Sequence, residues 1–204
     1  MSTEQLITTN TGLRKMNYYD ENAQEFFDGT VDADMTQHHE EFLKYIPENG
    51  CILDAGCGSG RDTLKFKSLG YNVTAIDGSE EMCKLASEYS GVNVKHMQFQ
   101  DMDFANEFDG IWASASLLHV PSTEIMAVLE KLKKSLKDNG ILYASFKYGD
   151  FEGERNGRYF HDLTETGAIE LFEKMDFKII KTWITSDSRK GREDEKWVNI
   201  LVKS

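Results

Sequence analysis

The stretch CILDAGCGSG, residues 51–60, joins an apolar run to one aspartate and three alternating glycines, Gly56, Gly58 and Gly60. The apolar run predicts a short buried strand at residues 51–55. A turn without side chains directly after a strand lets a ligand lie against the main chain. The segments on either side of this turn decide which ligand it can hold.

Strand and helix patterns alternate along most of the chain. Strand character is predicted at 51–55, 71–77, 92–99, 108–116, 141–148, 177–185 and 196–203. Helical spacing of apolar residues predicts helices at 18–27, 35–46, 61–70, 79–91, 122–140 and 165–175. This alternation is typical of an α/β fold whose parallel sheet carries helices on both faces. Ligands of such sheets bind beyond the carboxyl ends of the strands.

Composition narrows the class of protein. The 204 residues, 40% of them hydrophobic, predict a single domain, 1–204, with an N-terminal helical extension (1–46) before the core (47–204). A net charge of −12 disfavours nucleic acid as a partner, because phosphates are repelled. There is no membrane-span pattern, no signal-peptide pattern in residues 1–10 and no CxxC pair among the three cysteines. We therefore expect a cytoplasmic protein with reduced thiols, no membrane partner and no bound metal.

The glycine turn departs from both common phosphate-binding patterns. A dinucleotide fingerprint needs a third glycine where this sequence has Arg61, and no Gly-Lys-Ser/Thr follows as in a P-loop. Asp77 ends the second predicted strand 21 residues after Gly56, where its oxygens can accept both hydroxyls of a ribose. Asp101 ends the third strand, where a carboxylate can accept from the amine of adenine. The strand ends thus provide main chain without side chains and two hydrogen-bond acceptors, and a nucleoside could bind to both.

This combination resembles the class I S-adenosylmethionine-dependent methyltransferases over residues 17–203, including small bacterial-type members such as tellurite-resistance methyltransferases. The resemblance implies a Rossmann-like three-layer sandwich with a seven-stranded, mostly parallel sheet and an antiparallel last strand. It implies S-adenosylmethionine as cofactor and S-adenosylhomocysteine as product. Asp77 would hold the ribose, and Asp101 with the backbone of Met102 would bind adenine. The other implied cofactor contacts are Tyr19, Asp54, Gly56, Gly58, Arg61, Gly78, Met82 and Ser114.

The same resemblance places the reaction beside the segment that follows the fourth strand. His119 in that segment is a candidate general base, because the ordinary pKa of histidine lies near neutrality, and Tyr148 is the second catalytic candidate. Residues 145–164 combine aromatic and basic side chains with glycines, which predicts a mobile loop that recognises an anionic or planar acceptor. The candidate substrate-binding residues are Tyr18, Lys147, Arg158 and Tyr159.

Several interpretations stay open at this point. The expected reaction moves a methyl group to an oxygen, nitrogen or sulfur atom of a small molecule, and a metalloid acceptor is also open. The alternatives are methylation of a macromolecule such as tRNA or protein, a non-catalytic S-adenosylmethionine-binding protein and a nicotinamide oxidoreductase. His38 and His39 are expected on the surface, and residues 185–197 are expected to form an exposed connection. The sequence does not indicate an oligomeric state.

Overall fold

The computed structural model describes residues 18–189 and 191–204, and these contain nine strands. In chain order they are β1 (Cys51–Ala55), β2 (Asn72–Asp77), β3 (Lys95–His96), β4 (Phe108–Ala113), β5 (Leu136–Lys147), β6 (Glu152–Arg155), β7 (Arg158–His161), β8 (Lys178–Ser186) and β9 (Lys196–Lys203). Seven of them form one sheet in the order β3-β2-β1-β4-β5-β9-β8, while β6 and β7 form a separate hairpin.

Strand directions in the large sheet match the predicted α/β fold. The strands β1 to β5 run parallel to one another. The last strand, β9, runs antiparallel between β5 and β8. The strand order reverses between β1 and β4, and this reversal opens a crevice at the carboxyl ends of the parallel strands.

Helices cover both faces of the sheet. They are α1 (Ala23–Thr30), α2 (Thr36–Leu43), α3 (Arg61–Ser68), α4 (Glu80–Ser90), α5 (Ile125–Ser135) and α6 (Glu165–Glu173). Alternate residues of a strand point to opposite faces. Leu53 packs in the core that includes α5 and α6. Its neighbour Ile52 packs on the other face with Phe42 of α2 and Phe66 of α3, so the molecule has the predicted three layers.

Local capping signals place α4 directly after β2. The hydroxyl of Ser79 accepts a hydrogen bond from the N–H of Met82, and two acidic residues occupy the first turn. Gly91 ends the helix with a φ of +63°, in the left-handed region that glycine tolerates. Because the cap residue is only two positions beyond Asp77, it also fixes the backbone that follows this aspartate.

Some predicted boundaries are wrong. The third strand is only Lys95–His96, an edge strand that pairs with β2 alone. The helix predicted to reach Gly140 stops at Ser135, because Leu136 already pairs with β4 as the first residue of β5. The mobile loop predicted at 145–164 is instead largely the end of β5 and the β6–β7 hairpin.

Residues 1–17 lie outside the described part of the chain, and the prediction about a signal peptide falls there. Among the helices of residues 18–189 and 191–204, none is both long enough and apolar enough to cross a bilayer.

Candidate functional site

The turn between β1 and α3 needs glycine for two separate reasons. Gly56, Gly58 and Gly60 have φ angles of +80°, +52° and +76°, where other residues are strained. A Cβ on Gly56 would also lie 2.5 Å from the Cβ of Ser116, so the turn has no room for a side chain there. Two N–H groups at its start donate to the carbonyl of Ile76 in β2, which ties the turn to the neighbouring strand.

A cavity of about 520 Å³ opens beside this turn, and its volume is typical of small-molecule sites. Met102 is the predicted cofactor contact that does not line it. The side chain of Met102 is buried in the core, and its carbonyl accepts from Nζ of Lys131 at 2.8 Å. The other predicted cofactor contacts all line the cavity: Tyr19, Asp54, Gly56, Gly58, Arg61, Asp77, Gly78, Met82, Asp101 and Ser114.

Asp77 ends β2 with its carboxylate held beside the turn. One oxygen accepts from the N–H of Gly58 at 2.9 Å, and the other accepts from the N–H of Ser79 at 2.9 Å. Burial raises the pKa of this carboxyl, although the backbone hydrogen bonds oppose the rise. A carboxylate oxygen can accept more than one hydrogen bond. Asp77 can therefore accept two ligand hydroxyls without leaving the backbone.

Two buried aspartates stand behind the turn. Asp54 accepts from the hydroxyl of Thr63 at 2.5 Å, and burial, together with the charge of Asp62, raises the pKa of Asp54 above its ordinary value. Burial alone would also raise the pKa of Asp62, but the Arg61 guanidinium and a hydrogen bond from His39 hold it well below the ordinary value. Asp62 is thus a fixed anion, whereas Asp54 retains its proton more readily.

The surroundings of Asp62 correct the prediction for His39. His39 is 5% exposed rather than on the surface, and its Nε2 lies 2.9 Å from Oδ1 of Asp62. Trp112 donates to the same carboxylate at 2.8 Å. Arg61 donates to it at 2.8 and 2.7 Å, and also to the carbonyl of Thr30 at 3.2 Å. The Arg61 guanidinium is therefore held in the cavity wall by acceptors of the protein itself.

The N-terminal segment packs against the glycine turn. Residues 18–21 are helical, and the hydroxyl of Ser79 donates to Asp20 at 2.5 Å. Phe26 of α1 lies over the turn, since a Cβ on Gly58 would be 3.3 Å from its ring. The rings of Tyr19 and Phe26 meet edge to face with centroids 5.1 Å apart. This segment therefore supplies an aromatic wall to the cavity.

His119 follows β4 in the short helix Leu117–His119 and lines the cavity. Its Nδ1 lies 2.6 Å from the carbonyl of Tyr159, which can only accept, so Nδ1 carries the proton. In the neutral ring Nε2 then accepts from the hydroxyl of Tyr19 at 2.7 Å. Burial raises the pKa of Tyr19 to about 12, so its phenol stays protonated at neutral pH.

A second cavity, of about 130 Å³, adjoins the first. Lys147 and Arg158, both predicted to bind substrate, line it, and so does His38, which was expected on the surface. The connection between β8 and β9 is mostly exposed, as predicted, and it also contributes Asp187, Arg189 and Arg192 to the lining. The two cavities have a common wall, which consists of Tyr19, Phe26, Thr30, Arg61, Ser114, Ala115 and His119.

Three predicted aromatic residues lie outside the lining of both cavities. Tyr148 is 43% exposed, so its predicted catalytic role has no geometric support. The hydroxyl of Tyr159 donates to Glu152 at 2.5 Å, and this residue serves the site through its carbonyl. Tyr18 lies behind Arg158, whose guanidinium carbon is 4.8 Å from the centroid of the Tyr18 ring.

Cysteine side chains lie in and near the glycine turn as thiols. Cys51, Cys57 and Cys83 form no disulfide, and burial raises the pKa of the Cys57 and Cys83 thiols. In the described ranges 18–189 and 191–204, no three His, Cys, Asp or Glu side chains are grouped closely enough to hold a metal ion.

Sequence comparison finds methyltransferases. A family described as a methyltransferase domain matches residues 52–140. An uncharacterized methyltransferase of Staphylococcus carnosus (strain TM300) is 30% identical over 161 residues, which are 72% of this chain and 78% of that protein. A ubiquinone biosynthesis O-methyltransferase of Actinobacillus pleuropneumoniae is 32% identical over 105 residues, which are 46% of this chain and 44% of that protein. The match therefore spans less than half of the second relative.

Structural comparison finds the same fold. The 1,6-didemethyltoxoflavin-N1-methyltransferase of Burkholderia thailandensis, solved with bound 1,6-didemethyltoxoflavin and S-adenosylhomocysteine, superposes with a TM-score of 0.79 at 20% identity, covering 100% of this chain and 91% of that one. A SAM-dependent methyltransferase of Methanosarcina mazei superposes with a TM-score of 0.71 at 20% identity, covering 84% of this chain and 98% of that one. At these identities the likeness concerns the fold.

Proposed function

Because the chain belongs to the class I S-adenosylmethionine-dependent methyltransferases, we propose that its larger cavity holds the cofactor and that its acceptor is a small molecule methylated on oxygen, nitrogen or sulfur. Two of the similar proteins have names that refer to small molecules. One name refers to ubiquinone biosynthesis and the other to 1,6-didemethyltoxoflavin. These names support a small acceptor for this chain.

One observation carries the proposal. The bare main chain at Gly56 and the carboxylates of Asp54, Asp77 and Asp101 line a single cavity of about 520 Å³. These groups fit a nucleoside joined to a cationic amino acid, because carboxylates accept from hydroxyls and amines and attract positive charge. We assign the ribose hydroxyls to Asp77, the adenine amine to Asp101 and the methionine part to the glycine turn, with Asp54 near its amino group.

When bound, S-adenosylmethionine supplies a methyl group whose bond to sulfur breaks, with the electron pair kept by sulfur, as a lone pair of the acceptor forms the new bond. The protein then has to align the acceptor and exclude water. Ser114 and His119 lie in the wall common to both cavities. An acceptor seated in the smaller cavity would therefore face the larger one across this wall.

We assign removal of a proton from a hydroxyl acceptor to Tyr19 and His119 together. The Tyr19 hydroxyl donates a hydrogen bond to Nε2 of His119 at 2.7 Å, and Tyr19 lines both cavities. The acceptor's proton passes to the oxygen of Tyr19 while Tyr19 passes its own proton to Nε2. The resulting imidazolium still donates through Nδ1 to the carbonyl of Tyr159. A thiolate acceptor needs no such step.

Titration calorimetry with S-adenosylmethionine, S-adenosylhomocysteine and NAD tests the choice of cofactor. We expect the first two to bind and NAD to give no heat, and binding of NAD alone would overturn the proposal. Incubation of a cell extract with a labelled methyl donor tests the acceptor. Label is expected in the small-molecule fraction, and label confined to protein or RNA would overturn the small-molecule assignment.

The ribose assignment is tested by Asp77→Asn. We expect S-adenosylhomocysteine to bind at least about tenfold more weakly, which is the scale of losing a hydrogen bond to a charged group. Glu81→Gln is the matched control, because this exposed carboxylate lies in the first turn of the helix that follows Asp77 and does not line the cavity. Equal affinities of the two variants would remove Asp77 from the ribose.

The single-domain organisation over residues 1–204 and the cytoplasmic location remain parts of the proposal. The three cysteines support a reducing compartment, because none of them forms a disulfide.

A further inference from the structure

The smaller cavity concentrates positive charge in an acidic chain. Its lining includes the cations Arg61, Lys147, Arg158, Arg189 and Arg192, against the single carboxylate of Asp187. The chain as a whole carries a net charge of −12. A local excess of guanidinium and ammonium groups creates a positive potential, and a confined cavity focuses it. The cavity therefore favours a negatively charged occupant.

Most of these cations already have carboxylate partners. Arg61 pairs with Asp62, and Arg189 pairs with Asp187. Lys147 pairs with Glu195, which Arg192 also approaches, at 3.8 Å.

Arg158 differs from the others. Among the described residues no carboxylate lies within ion-pair distance of its guanidinium. Its guanidinium carbon lies 4.8 Å from the centroid of Tyr18 and 5.2 Å from that of Phe160, and the guanidinium also hydrogen-bonds the neutral hydroxyl of Tyr19. Such stacking positions a guanidinium without neutralising its charge. Arg158 is thus the cation of this cavity that is available to an anion.

Two polar atoms of the cavity lining support a missing ligand. Nε of Arg158 and Nδ1 of His38 are both buried and make no hydrogen bond in the described structure. Buried polar atoms of native proteins are almost always paired, so an unpaired one calls for a partner such as a ligand. Both atoms belong to side chains that line the same cavity. A ligand with acceptor oxygens would satisfy the guanidinium.

The size and the aromatic lining of the cavity limit the occupant further. Its volume of about 130 Å³ is close to the roughly 150 Å³ that holds one benzene ring in an engineered protein cavity. Phe26, Phe160 and Trp197 contribute apolar ring surface to the lining. The space is therefore about the size of a single ring.

We propose that the smaller cavity binds the methyl acceptor as a ring-sized oxyanion, with its carboxylate or phosphate on Arg158 and its nucleophilic atom toward Tyr19 and His119. This inference rests on the proposed function, since it names the chemical class of the acceptor. Arg158 is a substrate-positioning residue in this arrangement. Arg158 lies close to the common wall, with its guanidinium carbon 6.0 Å from the centroid of the Tyr19 ring, so we expect the anion and the nucleophilic atom to occupy neighbouring positions on the acceptor.

Paired probes test the charge requirement on the wild-type protein. The three hydroxybenzoate isomers, the corresponding hydroxybenzamides and phenyl phosphate are titrated by calorimetry into protein saturated with S-adenosylhomocysteine. We expect at least one anion to bind about tenfold or more tightly than its neutral counterpart, with phenol as the counterpart of phenyl phosphate. A preference for phenyl phosphate over every benzoate would support an oxyanion and identify it as a phosphate.

The Arg158→Gln variant tests the anchor. We expect the affinity for the preferred anion to fall about tenfold or more while the affinity for S-adenosylhomocysteine stays unchanged. Lys196→Gln is the matched control, because it removes one exposed positive charge beside Trp197 without altering the cavity lining. Arg158→Lys should recover part of the affinity, since it restores the charge but not the planar fork.

The outcomes separate this inference from the proposed function. Failure of S-adenosylhomocysteine to bind the wild type would remove the proposed function itself. If S-adenosylhomocysteine binds but no anion binds more tightly than its neutral counterpart, the oxyanion inference alone would be overturned. Equal losses of anion affinity in Arg158→Gln and Lys196→Gln would overturn the role of Arg158. A folding defect in Arg158→Gln would appear as lost affinity for S-adenosylhomocysteine. In that case the comparison of acids with amides on the wild-type protein decides whether the cavity binds an oxyanion.

Discussion

The two cavities carry opposite charge although they share a wall. The larger one is lined by the carboxylates Asp54, Asp62, Asp77, Asp101 and Glu124, together with Arg61. The smaller one is lined by five Lys or Arg residues and one carboxylate. The net charge of −12 averages over both regions and describes neither. This contrast teaches that the net charge of a protein limits its partners only where the charge is spread evenly. Here a cationic cofactor would bind in the acidic cavity and an anionic acceptor in the basic one.

The cavities also differ in how the chain builds them. The larger one consists mainly of short segments that follow β1, β2, β3 and β4, each within a few residues of a strand end. The smaller one draws on α2, the β6–β7 hairpin and the β8–β9 connection, which are far apart in sequence. We therefore expect changes in the glycine turn to impair the larger cavity first, and changes around Arg158 to impair the smaller one alone.

The largest effect is expected for Gly56→Ala. Its φ of +80° strains any other residue, and the new Cβ would lie 2.5 Å from the Cβ of Ser116. Ser116 cannot move easily, because its hydroxyl donates to the carbonyl of Ala55 at 2.7 Å. Strain and overlap of this kind cost about 1–3 kcal/mol each. Calorimetry should show affinity for S-adenosylhomocysteine reduced by about a hundredfold or more, with a lower unfolding midpoint.

Gly29→Ala is the control for that change. Gly29 lies in α1 and a Cβ there meets nothing within 4 Å. Alanine should stabilise this helix by up to about 1 kcal/mol and leave cofactor affinity unchanged. Similar losses of affinity in both glycine variants would show that the turn at Gly56 is not specially constrained.

A smaller effect is expected from pH in the larger cavity. Burial raises the pKa of Asp77 in the protein without ligand, and a cationic ligand that donates hydroxyl protons favours its ionised form. Affinity for S-adenosylmethionine should therefore fall as the pH drops through the raised pKa, by up to about tenfold per pH unit for one carboxyl. Asp54 lies in the same cavity, and burial raises its pKa to about 8, so its ionisation adds to this dependence.

Calorimetry in buffers of different ionisation enthalpy measures this proton release directly. The binding of an anionic ring probe to the smaller cavity serves as the comparison, because Arg158 stays charged throughout this range. A cofactor affinity that stays flat as the pH is lowered from neutrality to the ordinary range of a carboxyl, or equal slopes for cofactor and anionic probe, would contradict the assignment of the raised carboxyl to the larger cavity.

The smallest effect is expected at the adenine end of the larger cavity. Asp101 lines the cavity but is exposed, so water competes with it for the adenine amine. Asp101→Ala should weaken cofactor binding by only about three- to tenfold. Asp103→Ala is a close control, since Asp103 is also exposed, lies two residues further on and does not line the cavity. Indistinguishable affinities for the two variants would remove Asp101 from the adenine.

The larger cavity was predictable because its acids follow strands closely in sequence. Asp54 and Asp77 lie at the ends of β1 and β2, and parallel strands bring their carboxyl ends to one edge. The predicted contact of adenine with the backbone of Met102 stays a prediction. The chain leaves β3 after two residues and turns through Phe99–Asp101. That turn directs the Met102 side chain into the core. The residue types at the strand ends could be predicted from the sequence, but the path of the chain after β3 could not.

The smaller cavity was only partly predictable. Arg158 and Lys147 were identified by their type and position, whereas Arg189 lies in a polar segment that is typical of exposed loops. Its place in the site depends on the path of the connection between β8 and β9, and only the two strands were predicted.

The prediction that His39 lies on the surface was wrong for a similar reason. The polar sequence of α2 predicts a solvated helix, but Asp62, 23 residues further along the chain, supplies a buried partner for its ring. Burial of a polar side chain depends on a partner that local periodicity cannot show.

The position of β9 between β5 and β8 also sets an order of assembly. A ribosome releases β8 before β9, so for a time β8 has no strand to join it to the sheet. During that interval β5 presents an unpaired edge of mostly buried residues, which is a surface that aggregates or recruits chaperones. Trp197 on β9 lines the smaller cavity, so this cavity is completed only after the larger one.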